Sequence, residues 1–355
     1  MRKSLTLVLT MLLAGALAAS AAVPNMALDR SGTLYRLGSD GEQLVLTINS
    51  PSAEEPIVIP VPQTTGIAAS STIVDFDAST ATVVAVWQEN ISEELSRIML
   101  ATYHDGTWFG PVSVAGDDGV SASNPSLLVH RTTLPPVVSE ESATAGTEDA
   151  ADAPAADEPP STITMIHLAW WEGPPDSTGT AAYGSTSLGD DGIPAVEDFA
   201  PVELRSLLPF GIVCDSSESS AGLTHPRLFI DQETGDPHVV FADLSDCLFE
   251  IVRLHLESPD AAGGEDPPVT SQRRRNVIVF GVRKHIAIKP GLPLDRAEMV
   301  VGRGLSIVMH WDDPDQESID YITLGGDGWS EVSYLKLGPS LSHENGVRLI
   351  ERLAQ

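Results

Sequence analysis

The chain predicts an all-β fold, a β-propeller of four-stranded antiparallel blades, with five blades counted and six if the N-terminal region is divided differently. Three observations carry this. Trp87, Trp170, Trp171 and Trp311 end short apolar runs with a carboxylate close behind, and Trp108 and Trp329 follow such runs just past an Asp-Gly turn. The runs are rich in β-formers and separated by Gly, Pro and Asp turns. Aromatics that recur at one place in successive four-run units mean one supersecondary unit used several times.

The units follow in order. A first, weaker one has Met26 and then runs at 34–37, 44–48 and 57–59. The second has 73–76, 83–87, 97–103, the turn Asp105-Gly106, and 108–114. The third has 125–129, 166–171, 180–185, a turn around Asp190-Asp191-Gly192, and 202–204. The fourth has 226–230, 238–241, 248–254 and 277–282. The fifth has 298–301, 305–311, 319–324, the turn Asp327-Gly328, and 329–335. A β-sandwich would not need the same aromatic at the same place in each unit, whereas radial closure of a propeller hides the strand edges. The propeller spans 24–339; the tail 340–355, with Val347, Ile350 and Leu353 on one side, is a short helix or a fraying end.

Residues 133–162 break the pattern with seven carboxylates, no basic residue, and mostly Ala, Pro, Ser and Thr besides. Such a segment buries too little apolar surface to offset its ordering entropy and is expected to be disordered. Its flanks complete a strand pair, so it is an insert within the propeller. It should hang from the face opposite the second-strand ends.

The N-terminus reads as a leader. Arg2-Lys3 precedes an uncharged apolar stretch from Leu5 to Ala18 and then Ala19-Ser20-Ala21, the pattern of a secretory signal cleaved after residue 21. The mature chain is expected in the periplasm or outside the cell, without membrane insertion. Net charge is -30, and four lysines occur in the whole chain. So acidic a surface repels nucleic acid and anionic lipid, which argues against both as partners. Cys214 and Cys247 enter an oxidising compartment and fall at the same end of the fourth unit, so they are expected to pair.

The runs Pro226-Arg227-Leu228-Phe229-Ile230-Asp231, with Gly235, and His238-Val239-Val240-Phe241 resemble blade starts of the sialidase-like (BNR, or Asp-box) propeller superfamily. So do the turns His104-Asp105-Gly106-Thr107-Trp108 and Gly326-Asp327-Gly328-Trp329. The resemblance covers most of the mature chain and implies the propeller fold. The Asp-box spacing is compressed here, no Arg-Ile-Pro occurs, and no arginine matches a motif of the sugar-carboxylate site. It therefore transfers no catalytic residue.

One constellation bears on function. Aligning the second runs gives Trp87-Gln88-Glu89, Trp170-Trp171-Glu172, Phe241-Ala242-Asp243 and Trp311-Asp312-Asp313. Side chains two apart on a strand share a face, so each aromatic and its acid project together at the strand end. Glu89, Glu172, Asp243 and Asp313 could line one rim as a binding surface, hold Ca²⁺, or supply an acid/base pair for glycoside chemistry. Alternatively the aromatic fills the space between blades and the acid accepts bonds in its own turn. A repeat copies structural residues into every blade, whereas catalytic residues differ from blade to blade. His167 and His238, three residues before the aromatic, and nearby His310 are read as packing for the same reason. No catalytic or metal-ligand motif stands out and no cofactor is expected. The expectation is an exported, non-enzymatic propeller presenting one rim to a protein or glycan partner; the alternative is a propeller glycoside hydrolase or lyase using the rim carboxylates.

Overall fold

The computed structural model describes residues 25–40, 43–62, 68–117, 119–133, 162–173, 179–199, 201–204, 226–231, 235–243, 248–257, 277–287, 298–301, 307–313, 317–325, 328–338, 341 and 343–351. The expected leader, most of the expected acidic insert and both cysteines lie outside them, and with the cysteines the expected disulfide.

Among the described residues five antiparallel sheets follow one another along the chain, each built from strands consecutive in sequence. The first comprises β1 (Met26–Leu28), β2 (Leu34–Asp40), β3 (Gln43–Asn49) and β4 (Ile57–Pro60). The second holds β5 (Ala68–Asp77), β6 (Thr82–Asn90), β7 (Ser96–His104) and β8 (Thr107–Ala115). The third holds β9 (Ala122–Thr133), β10 (Thr162–Glu172), β11 (Thr180–Leu188) and β12 (Val202–Leu204). The fourth holds β13 (Arg227–Ile230), β14 (Pro237–Asp243), β15 (Leu248–Glu257) and β16 (Val277–Ala287). The fifth holds β17 (Glu298–Val301), β18 (Ile307–Asp313), β19 (Ser318–Gly325), β20 (Gly328–Trp329) and β21 (Ser333–Lys336). First strands meet first strands in succession, β1 with β5, β5 with β9, β9 with β13 and β13 with β17. Meandering four-stranded sheets joined through their first strands are the arrangement of a β-propeller.

The fifth sheet departs from the expected single fourth strand. Both β20 and β21 pair with β19, at Leu324↔Trp329 and Ser318↔Lys336. Between them Ser330 Oγ accepts the Thr323 N–H at 3.0 Å, so a side chain takes the place of a ladder carbonyl and divides the strand.

Alternation along each second strand fills two seams at once. In β6, Val83, Ala85 and Trp87 pack with Leu37, Leu44 and Leu46 of the first sheet, while Val84 and Val86 pack with Ile166, Leu168 and Trp170 of the third. In β10 the adjacent tryptophans point opposite ways. Trp170 joins the cluster shared with the second sheet, and Trp171 joins Val240, Phe241, Met309 and Trp311 in the cluster of the third, fourth and fifth sheets. Both indoles are fully buried. Each such side chain contributes roughly 1.5–3 kcal/mol through burial, so the seams between sheets carry the core.

Polar bonds pin the seams at the inner strands. Asp75 of β5 accepts the Val129 N–H of β9 at 2.8 Å, and Ser126 of β9 accepts the Leu228 N–H of β13 at 3.0 Å. At these two junctions a first strand offers a side-chain acceptor to the backbone of the next. Strands β9 and β10 pair down to Thr133↔Thr162, and residues 134–161, the bulk of the expected acidic insert, lie outside the described residues. Near the C-terminus a helix, α1 (His343–Glu351), lays Val347 and Ile350 on Val308, Ile319 and Leu335 of the fifth sheet. His343 Nε2 at its start lies 2.7 Å from Asp312 Oδ1. Among the described residues no helix is long and apolar enough to cross a membrane.

Candidate functional site

All four aligned acids stand at the ends of second strands, on the side where each sheet connects to the next. What holds them differs. Glu89 is fully buried, and its Oε1 accepts the Trp87 indole N–H at 3.2 Å. Its Oε2 accepts Arg97 Nε at 3.1 Å and Nη2 at 2.8 Å. Glu89 and Arg97 are direct cross-strand partners, and Arg97 also reaches to 3.7 Å from Asp117. Glu172 is half-buried and accepts the Trp170 indole N–H at 3.0 Å. The indole and the acid two residues on therefore face the same way, and the acid satisfies the one polar atom of a buried aromatic.

The repeat is not uniform. Opposite Glu172, Asp243 and Asp313 stand Thr180, Leu248 and Ser318, so the arginine clamp belongs to the second sheet. Asp313 is half-buried; the Asp243 side chain lies outside the described residues. Glu89 is closed to any ligand by its burial. Among the described residues, no group of three or more His, Cys, Asp or Glu could hold a metal ion.

Sequence reasoning singled out Asp-Gly turns between third and fourth strands and missed a second series between first and second strands. Asp29 Oδ1 accepts the N–H groups of Ser31 and Thr33, each at 2.8 Å, in the β1–β2 turn. Asp77 accepts the Thr80 N–H at 3.0 Å and both the Ser79 and Thr80 hydroxyls in the β5–β6 turn. Burial works to raise the Asp77 carboxyl, but the Thr80 and Ser79 bonds outweigh it and hold it below the ordinary range. An Asp followed two residues later by Ser is the sequence signal that finds both.

His167 and His238 are buried, and the ring contacts of each lie within its own sheet. His167 is buried, with Nδ1 2.7 Å from the Tyr183 hydroxyl and Nε2 without a hydrogen-bond partner. Burial, aided by the neighbouring His130, pushes its pKa down to about 3. His238 stacks on Phe229 at 5.5 Å. Asp75 moves the other way: burial raises its carboxyl to about 6. The signs give opposite contributions to stability. A His whose folded pKa is depressed stabilises fully above about 6.5 and loses that contribution as pH falls towards 3. An Asp whose folded pKa is raised contributes most below 3.8 and loses that contribution as pH rises through about 6. His167→Gln is therefore expected to flatten the acid limb of thermal stability between pH 6.5 and 3. Midpoints measured in stepped buffers check this, and an unchanged limb would assign acid unfolding to other groups.

No protein-family model matches the chain, and no curated protein matches it. Among solved structures it is similar to an α-L-arabinanase of Penicillium chrysogenum, complexed with arabinobiose, at 9% identity over 90% of this chain and 75% of that one, with a TM-score of 0.35. It is similar to an exo-β-1,3-galactanase of Clostridium thermocellum at 11% identity over 77% of this chain and 49% of that one, with a TM-score of 0.32. It is also similar to a PL25 ulvan lyase at 10% identity, covering 89% of this chain and 70% of that one, with a TM-score of 0.37. None of the three is a sialidase. At these values the likenesses say nothing of activity, and the propeller is read from the sheets and their order.

Proposed function

We propose that this chain is an exported, non-enzymatic β-propeller that presents one rim to a glycan or protein partner. The observation that carries this reading is the use to which the rim acids are put. Glu89 and Glu172 each accept the indole N–H two residues back, and Glu89 is further clamped by Arg97. A glycosidase needs two carboxyl groups facing one sugar; these two are spent on their own sheets. The leader-like N-terminus and the net charge of -30 support an exported protein whose surface avoids nucleic acid and anionic membranes. Cys214 and Cys247, as a disulfide, belong to the same reading, as does descent from a sialidase-like propeller that lacks the catalytic signature.

The test is to incubate the whole mature protein with a panel of polysaccharides, scoring both retention and release of reducing or unsaturated ends. Retention without turnover is expected. Turnover that disappears in Glu172→Gln would overturn the non-enzymatic reading in favour of a hydrolase or lyase.

A further inference from the structure

The seam between the second and third sheets reaches the rim in side chains that the other sheets do not carry. On β6 the row facing the third sheet runs Val84, Val86, Gln88, Asn90, from buried valines to a half-buried and then an exposed amide. At the place of Gln88 the later sheets have Trp171, Ala242 and Asp312, and at the place of Asn90 they have Gly173, Leu244 and Pro314. Residues that fill seams recur from sheet to sheet; this pair of amides does not.

The amides are arranged as a chain across two sheets. Gln88 Oε1 accepts the Asn124 N–H of β9 at 3.1 Å. Gln88 Nε2 donates to Asn90 Oδ1 at 2.7 Å, and Asn90 Nδ2 donates to Ser70 Oγ at 3.2 Å. On either side the backbone is left-handed at a non-glycine residue, Ser71 with φ 45° and Asn124 with φ 54°. Both residues interrupt the ladder of a first strand where it meets the second strand of its own sheet. The Asn90 amide is exposed and keeps one N–H and one lone pair beyond these bonds.

A planar amide presents a donor and an acceptor side by side, the pattern that a pair of sugar hydroxyls matches. None of the groups in the chain is charged, and the protein's net charge of -30 repels uronates and sulfate esters. We propose that Ser70, Gln88 and Asn90 form a subsite for a neutral saccharide at the mouth of this seam, an inference that rests on the rim being a glycan-binding surface.

Calorimetric titration of the whole protein with neutral xylo-, arabino- and gluco-oligosaccharides, and with uronate-bearing oligosaccharides of matched length, tests it. At least one neutral series is expected to bind. Asn90→Asp, which keeps the shape and removes the donors, and Gln88→Leu are each expected to weaken it about tenfold. Tyr334→Ala, an exposed position on the fifth sheet, is expected to leave it unchanged. Neutral binding untouched by both rim variants would overturn the subsite and leave the rim reading standing. Binding lost only in Tyr334→Ala would overturn both. Preference for uronates, or no saccharide binding at all, would overturn the subsite. Because Asn90 is exposed, its variant is expected to fold even if Gln88→Leu does not.

Discussion

Arg97→Met is expected to destabilise the protein by about 3–5 kcal/mol, the cost of leaving a buried charge without its partner. Glu89 has no exposed side-chain surface, whereas Arg97 is one-fifth exposed. The two members of the pair are therefore unequal. Removing Arg97 strands a carboxylate whose remaining partners include the Trp87 indole at 3.2 Å. Glu89→Gln removes the charge but keeps an acceptor for the buried Trp87 indole N–H, so Arg97→Met combined with Glu89→Gln should recover most of the loss. Denaturant midpoints of the two single variants and the double variant measure the coupling. A single variant within about 0.5 kcal/mol of the parent, the range of an ordinary surface change, would mean that the pair is solvated in solution.

Trp170→Ala is expected to cost about 3–5 kcal/mol, the range for emptying a buried aromatic site. The indole fills the seam between the second and third sheets, packs 5.9 Å from Phe199, and gives its N–H to Glu172. Trp170→Phe keeps most of the volume and removes the donor, so the difference between the two variants separates packing from the bond. Thermal unfolding should report a much smaller loss for Phe than for Ala. Equal losses would show that Glu172, rather than the seam, is what the tryptophan serves.

The fold was legible because a propeller writes its packing into the sequence several times. The aromatic near the end of the second strand in four of the five sheets marks the seam, and the doubled tryptophan at 170 and 171 announces a sheet with apolar neighbours on both sides. The pairing of aromatic and acid on one face followed from strand alternation alone, and the indole-to-carboxylate bonds at Trp87 and Trp170 have that geometry. What escaped was long-range or non-repeating. Nothing in the order of residues says that Arg97 rather than a solvent molecule meets Glu89, because the partner in other sheets is Thr, Leu or Ser. The turns at Asp29 and Asp77 rest on side-chain bonds to Ser and Thr, and neither Asp is followed directly by the glycine that marks the Asp-Gly turns. The Gln88 and Asn90 chain was invisible because it has no second copy to reveal it, and it depends on Asn124, whose unusual backbone only a folded strand displays.

The inner-strand bonds also set an order of events. Every described sheet is built from strands consecutive in sequence, but Asp75 waits for Val129, 54 residues on, and Ser126 waits for Leu228, 102 residues on. Local hairpins close quickly and distant contacts late, so the sheets should form early and lock to one another afterwards. A chain that folds from its N-terminus onward would then carry, at each moment, one newly made sheet with an uncovered apolar row awaiting its successor. Its vulnerability to aggregation would travel along the molecule with that unfinished edge.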